Sequence, residues 1–358
     1  MTMRKLTRLI VFQAFIGMIL SLISFPACTP VDPAPKILIR TDSISGLFYR
    51  SCSVSGTIVY LGESDIEQYG FVWSESPDPT LDLGEYLDLG GRSDPGSFTE
   101  TITELNPGTN YYVRSYASDV SGTEYGDVIP FVTGAVGTVT DYDGNVYQTV
   151  EIGEQIWMAE SMRASHYADG TAIPLVEGDA AWNAVKIDDK AFCYVNNDPL
   201  ISETYGSYYT WAAAMDGPPD TQPGPNGFQG VCPDGWHIPS DEEWKQLEIY
   251  LGLSKEDAEK VTFRGADEGG KLKEQGFAHW KSPNTGATNV SGFTSIPSGG
   301  RHYEGGFFET GYFAIYWAGT EGQPSDAWTY HQDFDRAESF RGLIFKNYGY
   351  SVRCVKDK

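Results

Sequence analysis

The sequence predicts two folded domains: an all-β sandwich over residues 37–134, followed by an α+β domain over residues 139–358. Length is the first support, because 358 residues suffice for two domains after a targeting segment is removed. Composition is the second: 40 glycines, 20 prolines and 14% aromatic residues are typical of a chain rich in turns and strands. The third is a change in pattern, from short β-prone segments in the first half to a capped helix at Ser240 in the second.

The first residues are typical of an exported bacterial protein. A basic start precedes an apolar run over residues 9–23, which is short for a membrane span. The tetrapeptide Phe-Pro-Ala-Cys at residues 25–28 resembles the cleavage site of bacterial lipoproteins. The resemblance implies that residues 1–27 are removed as a signal peptide and that Cys28 becomes the lipidated N-terminus. The alternative is an ordinary signal peptide cut near Ala27.

Residues 28–36 form a predicted tether. Three prolines within Thr29–Lys36 favour a stiff, extended spacer that lifts the first domain off the membrane. With the lipid on Cys28, this predicts a protein of the cell envelope: an outer-membrane lipoprotein, surface-exposed or facing the periplasm, that meets the membrane through its anchor. Export also places the chain in an oxidising compartment, where disulfides persist.

The formal net charge of −24 restricts the partners of this protein. It argues against nucleic acid and against anionic membrane surfaces, because both repel an acidic chain. Two explanations of the charge stay open: solubility, and dispersed Ca²⁺ sites, since hard cations prefer carboxylate oxygens. The Asp-x-Asp-Gly-Asn string at residues 141–145 lacks the later ligands of an EF-hand loop, so it predicts a hairpin turn. No other cofactor is indicated.

Besides Cys28 the chain has four cysteines, Cys52, Cys193, Cys232 and Cys354, and they allow three complete pairings. We predict one disulfide, Cys232–Cys354, which would tie the strand before the central helix to the last strand. Closing so long a loop contributes about 4–5 kcal/mol in the chain-entropy account. Cys52 and Cys193 lie in β-prone segments and are predicted to be small core residues.

The segment from Leu105 to Tyr111 identifies the type of sandwich. Its pattern Leu-x-Pro-Gly-Thr-x-Tyr is similar to the tyrosine corner of fibronectin type III domains, in which the tyrosine hydroxyl bonds back to the corner backbone. The resemblance implies a spacer or an interaction module rather than an enzyme.

The stretch Cys232–Trp244 organises the second domain. Ser240 followed by Glu243 is a capping box, in which each side chain pairs with the other residue's backbone N–H. The helix that follows places Trp244 and Leu247 on one apolar face. His237, which precedes this helix, is interpreted as a hydrogen-bonded structural residue.

Five motifs in the second half resemble one family in the same order: residues 141–147, 152–163, 205–215, 232–244 and 350–355. It is the Fibrobacter succinogenes major paralogous domain family, found on exported bacterial proteins and often beside immunoglobulin-like repeats. The resemblance covers about residues 139–356. It implies a C-type-lectin-like fold, distantly similar to formylglycine-generating enzymes.

Enzymatic activity is not predicted. Oxidation of the formylglycine-generating type needs a close cysteine pair to hold copper, and the corresponding residues 336–345 contain no cysteine. The five histidines show no metal-binding spacing, and there is no Gly-x-Ser-x-Gly motif.

Candidate ligand residues cluster late in the chain. Gln323-Pro324-Ser325-Asp326 is one residue longer than the calcium-binding loop of sugar-binding C-type lectins, so Ca²⁺ is a weak candidate. Residues 300–330 are rich in aromatic side chains, which suit stacking on sugar faces. The candidate set is therefore Trp317, Gln323, Asp326, Trp328 and Tyr330. The alternative is that these rings form the core.

These features together predict a lipid-anchored cell-surface protein with a non-catalytic binding or display role, whose partner is a glycan or a surface protein. The alternative is a structural component of a surface assembly without a soluble ligand. A degenerate formylglycine-generating-like enzyme is the third hypothesis.

Overall fold

The computed structural model describes residues 36–217 and 227–358. The predicted signal peptide, the lipidation site Cys28 and nearly all of the tether lie outside the described residues. Within them, no helix is long and apolar enough to cross a membrane.

The first domain is a sandwich of eight strands in two antiparallel sheets. One sheet has the order β1-β2-β5, and the other has the order β4-β3-β6-β7, with β8 also paired to β6. This is the sheet arrangement of a fibronectin type III domain. The strands are β1 (Leu38–Ser45), β2 (Cys52–Tyr60), β3 (Gln68–Ser74), β4 (Glu85–Asp88), β5 (Gly96–Ile102), β6 (Asn110–Asp119), β7 (Gly122–Tyr125) and β8 (Ile129–Val132).

Alternating burial forms the core of the sandwich. In β2, every second residue from Cys52 to Ile58 is buried, as expected for a strand with one face toward an opposing sheet. The predicted tyrosine corner is present, because the backbone N–H of Asn106 donates to the Tyr111 hydroxyl oxygen at 3.1 Å. The core residues are Cys52, Val54, Phe71, Ile102, Leu105, Tyr111, Val113 and Phe131.

The second domain is mixed, with short helices between strands. Its first strand begins at Val136, and the turn at residues 141–145 joins it to the next strand as a hairpin, as predicted. The strands are β9 (Val136–Thr140), β10 (Val146–Ile152), β11 (Gln155–Met158), β12 (Phe192–Tyr194), β13 (Ser207–Tyr209), β14 (Trp236–His237), β15 (Thr262–Arg264), β16 (Gly300–Arg301), β17 (Phe307–Phe308), β18 (Phe313–Gln323), β19 (Asp326–Asp333), β20 (Ser339–Phe345) and β21 (Val355–Lys356). The helices are α1 (Asp179–Trp182), α2 (Pro199–Tyr205), α3 (Trp211–Met215), α4 (Asp241–Tyr250), α5 (Lys255–Ala258) and α6 (Glu268–Leu272), with a 3₁₀ turn at Val195–Asn197.

Two sheets carry most of this domain. One has the order β14-β21-β11-β10-β9, and the other has the order β15-β20-β19-β18. The second sheet separates two apolar cores: Trp317 and Ala327 face one, while Tyr316 and Tyr330 face the other. Both faces of β18 and β19 are therefore covered by protein.

Helix α4 has the predicted capping box. The Glu243 carboxylate accepts the Ser240 N–H at 2.9 Å, and the Ser240 hydroxyl accepts the Glu243 N–H at 3.3 Å. Trp244 is fully buried and stacks on Tyr330 at a centroid distance of 4.9 Å. The helix is thereby fixed against the second sheet.

The predicted disulfide is confirmed: Cys232 and Cys354 are bonded, with their Cα atoms 5.9 Å apart. Cys52 and Cys193 are buried and are the free cysteines among the described residues. Burial raises the pKa of the Cys52 thiol to about 12 and that of Cys193 to about 11. Both thiols are thus protonated and unreactive at neutral pH.

The two domains are joined by an aromatic side chain that crosses their boundary. Phe48, in the loop between β1 and β2, is 7% exposed and packs in the core of the second domain. Its ring meets Tyr250 edge-on at 5.7 Å, and the Tyr250 hydroxyl donates to the Leu47 carbonyl at 2.5 Å. Residues Lys36–Lys358 consequently form one compact unit.

Candidate functional site

Two of the candidate ligand residues lie in the core. Trp317 and Tyr330 are both fully buried. The Trp317 indole N–H donates to the Tyr209 carbonyl at 2.8 Å, and the Tyr330 hydroxyl donates to an Asp241 carboxylate oxygen at 2.8 Å. The prediction that these rings stack on an external ligand is therefore wrong. The reason is that their strands are covered on both faces.

Trp328 lies at the boundary between core and surface. It is half-buried, and the Arg341 guanidinium sits over its ring at 3.6 Å. Arg341 is itself held by Asp241 through two bonds of 2.7 Å. One face of the indole is thus occupied by a fixed cation, which leaves little of the ring for a ligand.

Gln323 and Asp326 lie at the tip of the hairpin that joins β18 to β19. Gln323 is exposed and Asp326 is half-buried, with the Ser325 hydroxyl 3.0 Å from an Asp326 carboxylate oxygen. The Lys346 ammonium donates to the Pro324 carbonyl at 3.0 Å and pairs with Glu321. A resident cation at this hairpin disfavours Ca²⁺, which needs six to eight oxygen ligands. Across the described residues, no group of three or more potential metal ligands is found.

A cluster of partly exposed rings lies beside this hairpin. We define the aromatic patch as His302, Tyr303, Phe345 and Tyr348. Phe345 is 48% exposed, and the other three are half-buried. Tyr303 is the centre, with ring centroids 4.3 Å from His302, 5.4 Å from Tyr348 and 6.1 Å from Phe345. Phe345 pairs with Asp326 in the sheet, so the patch adjoins the hairpin between β18 and β19.

Two turns hold the aromatic patch in place. Arg301 and Gly349 exchange backbone hydrogen bonds of 2.8 and 2.9 Å, which joins the segment before His302 to the segment after Tyr348. The His302 N–H donates to the Gly306 carbonyl at 2.8 Å, and the Tyr348 N–H donates to the Phe345 carbonyl at 3.1 Å. The rings are therefore carried by paired backbone rather than by a free loop.

Acidic groups border the aromatic patch. Glu304 is exposed beside His302, and the half-buried Asp326 pairs with Phe345 in the sheet. Burial raises the pKa of Tyr348, and the nearby Tyr303 and Glu304 add to the rise, so its hydroxyl stays protonated at neutral pH. Chemically, the patch offers apolar ring surfaces, a hydroxyl donor and carboxylate acceptors, which is the equipment of a binding surface.

Only part of the aromatic patch could be predicted from the sequence. Tyr303 belongs to the aromatic-rich segment of residues 300–330, but Phe345 and Tyr348 lie beyond it. Ser339, Arg341, Leu343 and Phe345 share one face of β20, which is buried at its start and exposed at its end. Alternation along the strand therefore does not predict that Phe345 is exposed.

The strongly perturbed titratable groups lie in the interior. Burial raises the pKa of Glu248 to about 7, although Arg264 and Ser339 oppose the rise. Burial lowers the pKa of His331 to about 3 and raises that of Asp333 to about 6. His237, as interpreted from sequence, is a hydrogen-bonded residue: its two ring nitrogens lie 2.9 Å from Glu243 and 2.7 Å from Asp357.

Several solved structures are similar to about a quarter of this chain. The sensor domain of the anti-sigma factor RsgI4 from Pseudobacteroides cellulosolvens is 17% identical with a TM-score of 0.24, and the match covers 28% of this chain and 76% of that one. The FN1–FN3 domains of chicken CNTN1 are 19% identical with a TM-score of 0.23, and the match covers 28% of this chain and 33% of that one. A fibronectin type III domain of human KIAA0970 is 18% identical with a TM-score of 0.19, and the match covers 26% of this chain and 72% of that one.

No curated protein matches the sequence. The second domain does match a known family: residues 150–356, more than half of the chain, match the Fibrobacter succinogenes major domain. The matched region includes helix α4, both cysteines of the disulfide and the entire aromatic patch. The chain therefore belongs to the Fibrobacter succinogenes major domain family, with a fibronectin type III-like sandwich ahead of the family domain.

Proposed function

We propose that this protein is exported, anchored by a lipid on Cys28, and displays a C-type-lectin-like domain that binds glycans without catalysis. The observation that carries the proposal is the aromatic patch, a group of partly exposed rings with carboxylates at its border. The anchor, the tether and the sandwich hold this domain away from the membrane.

Sequence and structure both support export. The N-terminal segment has the features of a lipoprotein signal, and the Cys232–Cys354 disulfide suits an oxidising compartment. The link between sandwich and second domain is stiff because Phe48 is packed across it. A stiff stalk keeps a binding surface at a fixed distance from the anchor.

The aromatic patch suits sugars better than proteins. Sugar rings present C–H groups on one face, and these pack on aromatic side chains, while their hydroxyls donate to carboxylates such as Glu304 and Asp326. The patch is small and has a polar border, whereas a stable protein interface requires about 1,200–2,000 Å² of buried surface. Lys346 at the adjoining hairpin predicts that binding does not depend on Ca²⁺.

A glycan array with the purified full-length protein tests this proposal. We expect saturable binding to one sugar class, unchanged by a chelator, and a loss of about tenfold or more in affinity for Tyr303→Ala and Phe345→Ala. Phe277→Ala is the matched control, because Phe277 is an exposed ring of the same domain (64% exposed) outside the patch. Its affinity should equal that of the unmodified protein.

Two results would count against the proposal. A blank array from protein whose near-ultraviolet circular dichroism shows a folded state would transfer support to a structural role in a surface assembly. Equal loss of affinity in Phe277→Ala and Tyr303→Ala would mean that the patch is not the site.

The lipid anchor is tested separately. Cys28→Ala should abolish labelling by a radioactive fatty acid and release the protein from the membrane fraction.

A further inference from the structure

A second candidate site lies between the two domains. The cleft has a volume of about 1160 Å³ and shares no lining residue with the aromatic patch. The β1–β2 loop and the end of β5 form one wall, and the end of α4, helix α6 and residues 286–290 form the other. We propose that this interdomain cleft binds a neutral oligosaccharide, a role additional to that of the aromatic patch.

The cleft is held open by the packing of the domains. Phe48 lines it while its ring is anchored in the second domain, and Tyr250 lines it while its hydroxyl bonds the Leu47 carbonyl. Val290 and Tyr49 also line it, and both pack against the same core. Because these contacts exist without a ligand, binding requires no closure of one domain on the other, which favours affinity.

The polar lining matches the chemistry of sugar hydroxyls. Arg50, Glu104 and Gln275 line the cleft with planar groups that carry two donor or acceptor atoms side by side. Such a group pairs with two adjacent hydroxyls of a sugar ring at once. Tyr49, which is half-buried, adds a ring surface for the C–H face of a sugar. The volume is sufficient for several sugar residues.

The charges of the cleft favour a neutral ligand. Its wall carries two cations, Arg50 and Lys271, and two anions, Glu104 and Asp267. Lys271 is already engaged, since its ammonium lies 2.7 Å from Asp267 and 2.7 Å from the Leu251 carbonyl. The chain as a whole repels anions, with a net charge of −24. A phosphorylated or acidic ligand is therefore disfavoured.

One buried group on the wall lacks a partner. Ser51 is 3% exposed and lines the cleft, and its hydroxyl oxygen has no hydrogen-bond partner in the part of the chain that the structure describes. Most buried polar side chains are hydrogen-bonded, so an exception calls for an explanation. The Ser51 oxygen is enclosed by protein atoms, so a ligand in the cleft does not contact it directly. The volume and the polar lining of the cleft are what favour an occupant.

Calorimetric titration of the purified full-length protein tests the inference. The probes are cellohexaose, xylohexaose, mannohexaose and maltohexaose, with hexagalacturonate as an acidic contrast. We expect binding of at least one neutral hexaose and none of the acidic one. Thr288→Arg, a substitution of an exposed residue on the cleft wall, should lower the affinity by about tenfold or more.

Two controls separate this site from the others. Thr138→Arg places the same side chain on the exposed face of β9, and it should leave the affinity unchanged. Phe277→Ala, at an exposed ring outside both sites, should also leave it unchanged. A loss confined to Tyr303→Ala would assign the binding to the aromatic patch, so failure of the cleft and failure of the patch are distinguishable. Tryptophan fluorescence verifies that each variant is folded.

Three outcomes would overturn the inference. These are the absence of binding by every neutral hexaose, equal losses in Thr288→Arg and Thr138→Arg, and a loss confined to Tyr303→Ala. Binding of an extended threonine- and valine-rich peptide in place of the hexaoses would assign the cleft to strand addition instead, because β5 is the last strand of its sheet.

Discussion

The sandwich and the family domain bury different kinds of groups. The buried polar residues of the sandwich, all of which is described, are uncharged: Thr41, Ser51, Ser115 and Thr133. The family domain encloses a set of charges that are each at most 4% exposed. They are Glu248, Arg264, Lys273, Arg301, Lys346 and Arg353.

The partners of these buried charges are distant in sequence. Lys273 donates to the carbonyls of Thr285, Asp333 and Arg336 at 2.7–2.9 Å. Lys346 reaches back to Glu321. The sandwich is therefore stabilised mainly by apolar side chains at alternate positions of each strand, a pattern that is local in the sequence. The family domain, in contrast, depends on polar bonds that form only when remote segments meet, and breaking one leaves buried groups unpaired.

Replacing Arg353 tests this dependence most strongly. Its guanidinium donates to the carbonyls of Met158, Phe293 and Thr294 at 2.6–3.0 Å, and the residue is fully buried. Methionine preserves much of the volume but leaves three carbonyls unpaired. We expect Arg353→Met to lower the free energy of unfolding by about 3–5 kcal/mol.

The measurement is urea unfolding followed by tryptophan fluorescence, which reports mainly on the family domain because eight of the nine tryptophans belong to it. Arg336→Met is the control, since Arg336 is exposed in the same domain. Similar free energies for both variants would show that buried polar bonds are not what distinguishes the two domains.

The His237 pair gives a smaller, pH-dependent effect. Burial alone lowers the pKa of His237, but Glu243 and Asp357 outweigh it, and the net pKa is raised. This stabilisation is therefore complete below the ordinary pKa of about 6.5 and is lost as the pH rises through the raised value. For Glu243, burial raises the pKa, but His237 and Ser240 lower it overall. That contribution is present above about pH 4.3 and is lost in acid.

Thermal unfolding of the native protein and His237→Gln, measured from pH 5 to pH 9, checks this sign. The native protein should lose stability as the pH rises above about 6.5, and the variant should lack that component. A parallel decline in both proteins would assign the alkaline loss to other groups.

The smallest effect is expected in the sandwich. Tyr111→Phe removes the acceptor of the Asn106 N–H and should lower stability by about 0.5–1.5 kcal/mol. Hydrogen exchange locates the change, because the Asn106 amide should lose protection. Tyr112→Phe is the matched control, since the adjacent Tyr112 is half-buried on the opposite side of β6. Equal deprotection in both variants would contradict the tyrosine corner.

Features that depend on residues close together in the sequence could be predicted from it. The tyrosine corner, the capping box of α4 and the hairpin at residues 141–145 each depend on residues a few positions apart, and all three are present. The burial of Trp317 and Tyr330 could not be predicted in this way. They lie on opposite faces of a sheet that is covered on both sides, so alternation gives no inward or outward direction. The cleft could not be predicted from the sequence because the residues of its two walls are far apart in the chain.

The position of Phe48 has a consequence for how such proteins can be recombined. By sequence this residue belongs to the sandwich, whereas by packing it belongs to the core of the family domain. A gene fusion that joins the family domain to another partner at residue 134 would lose this ring and expose the apolar side chains that it covers, at a cost of about 1.5–3 kcal/mol. The unit that keeps its full stability when it is moved to another protein is therefore larger than the family domain, and it includes the β1–β2 loop of its neighbour. A fusion without that loop is less stable unless the new neighbour supplies an equivalent side chain.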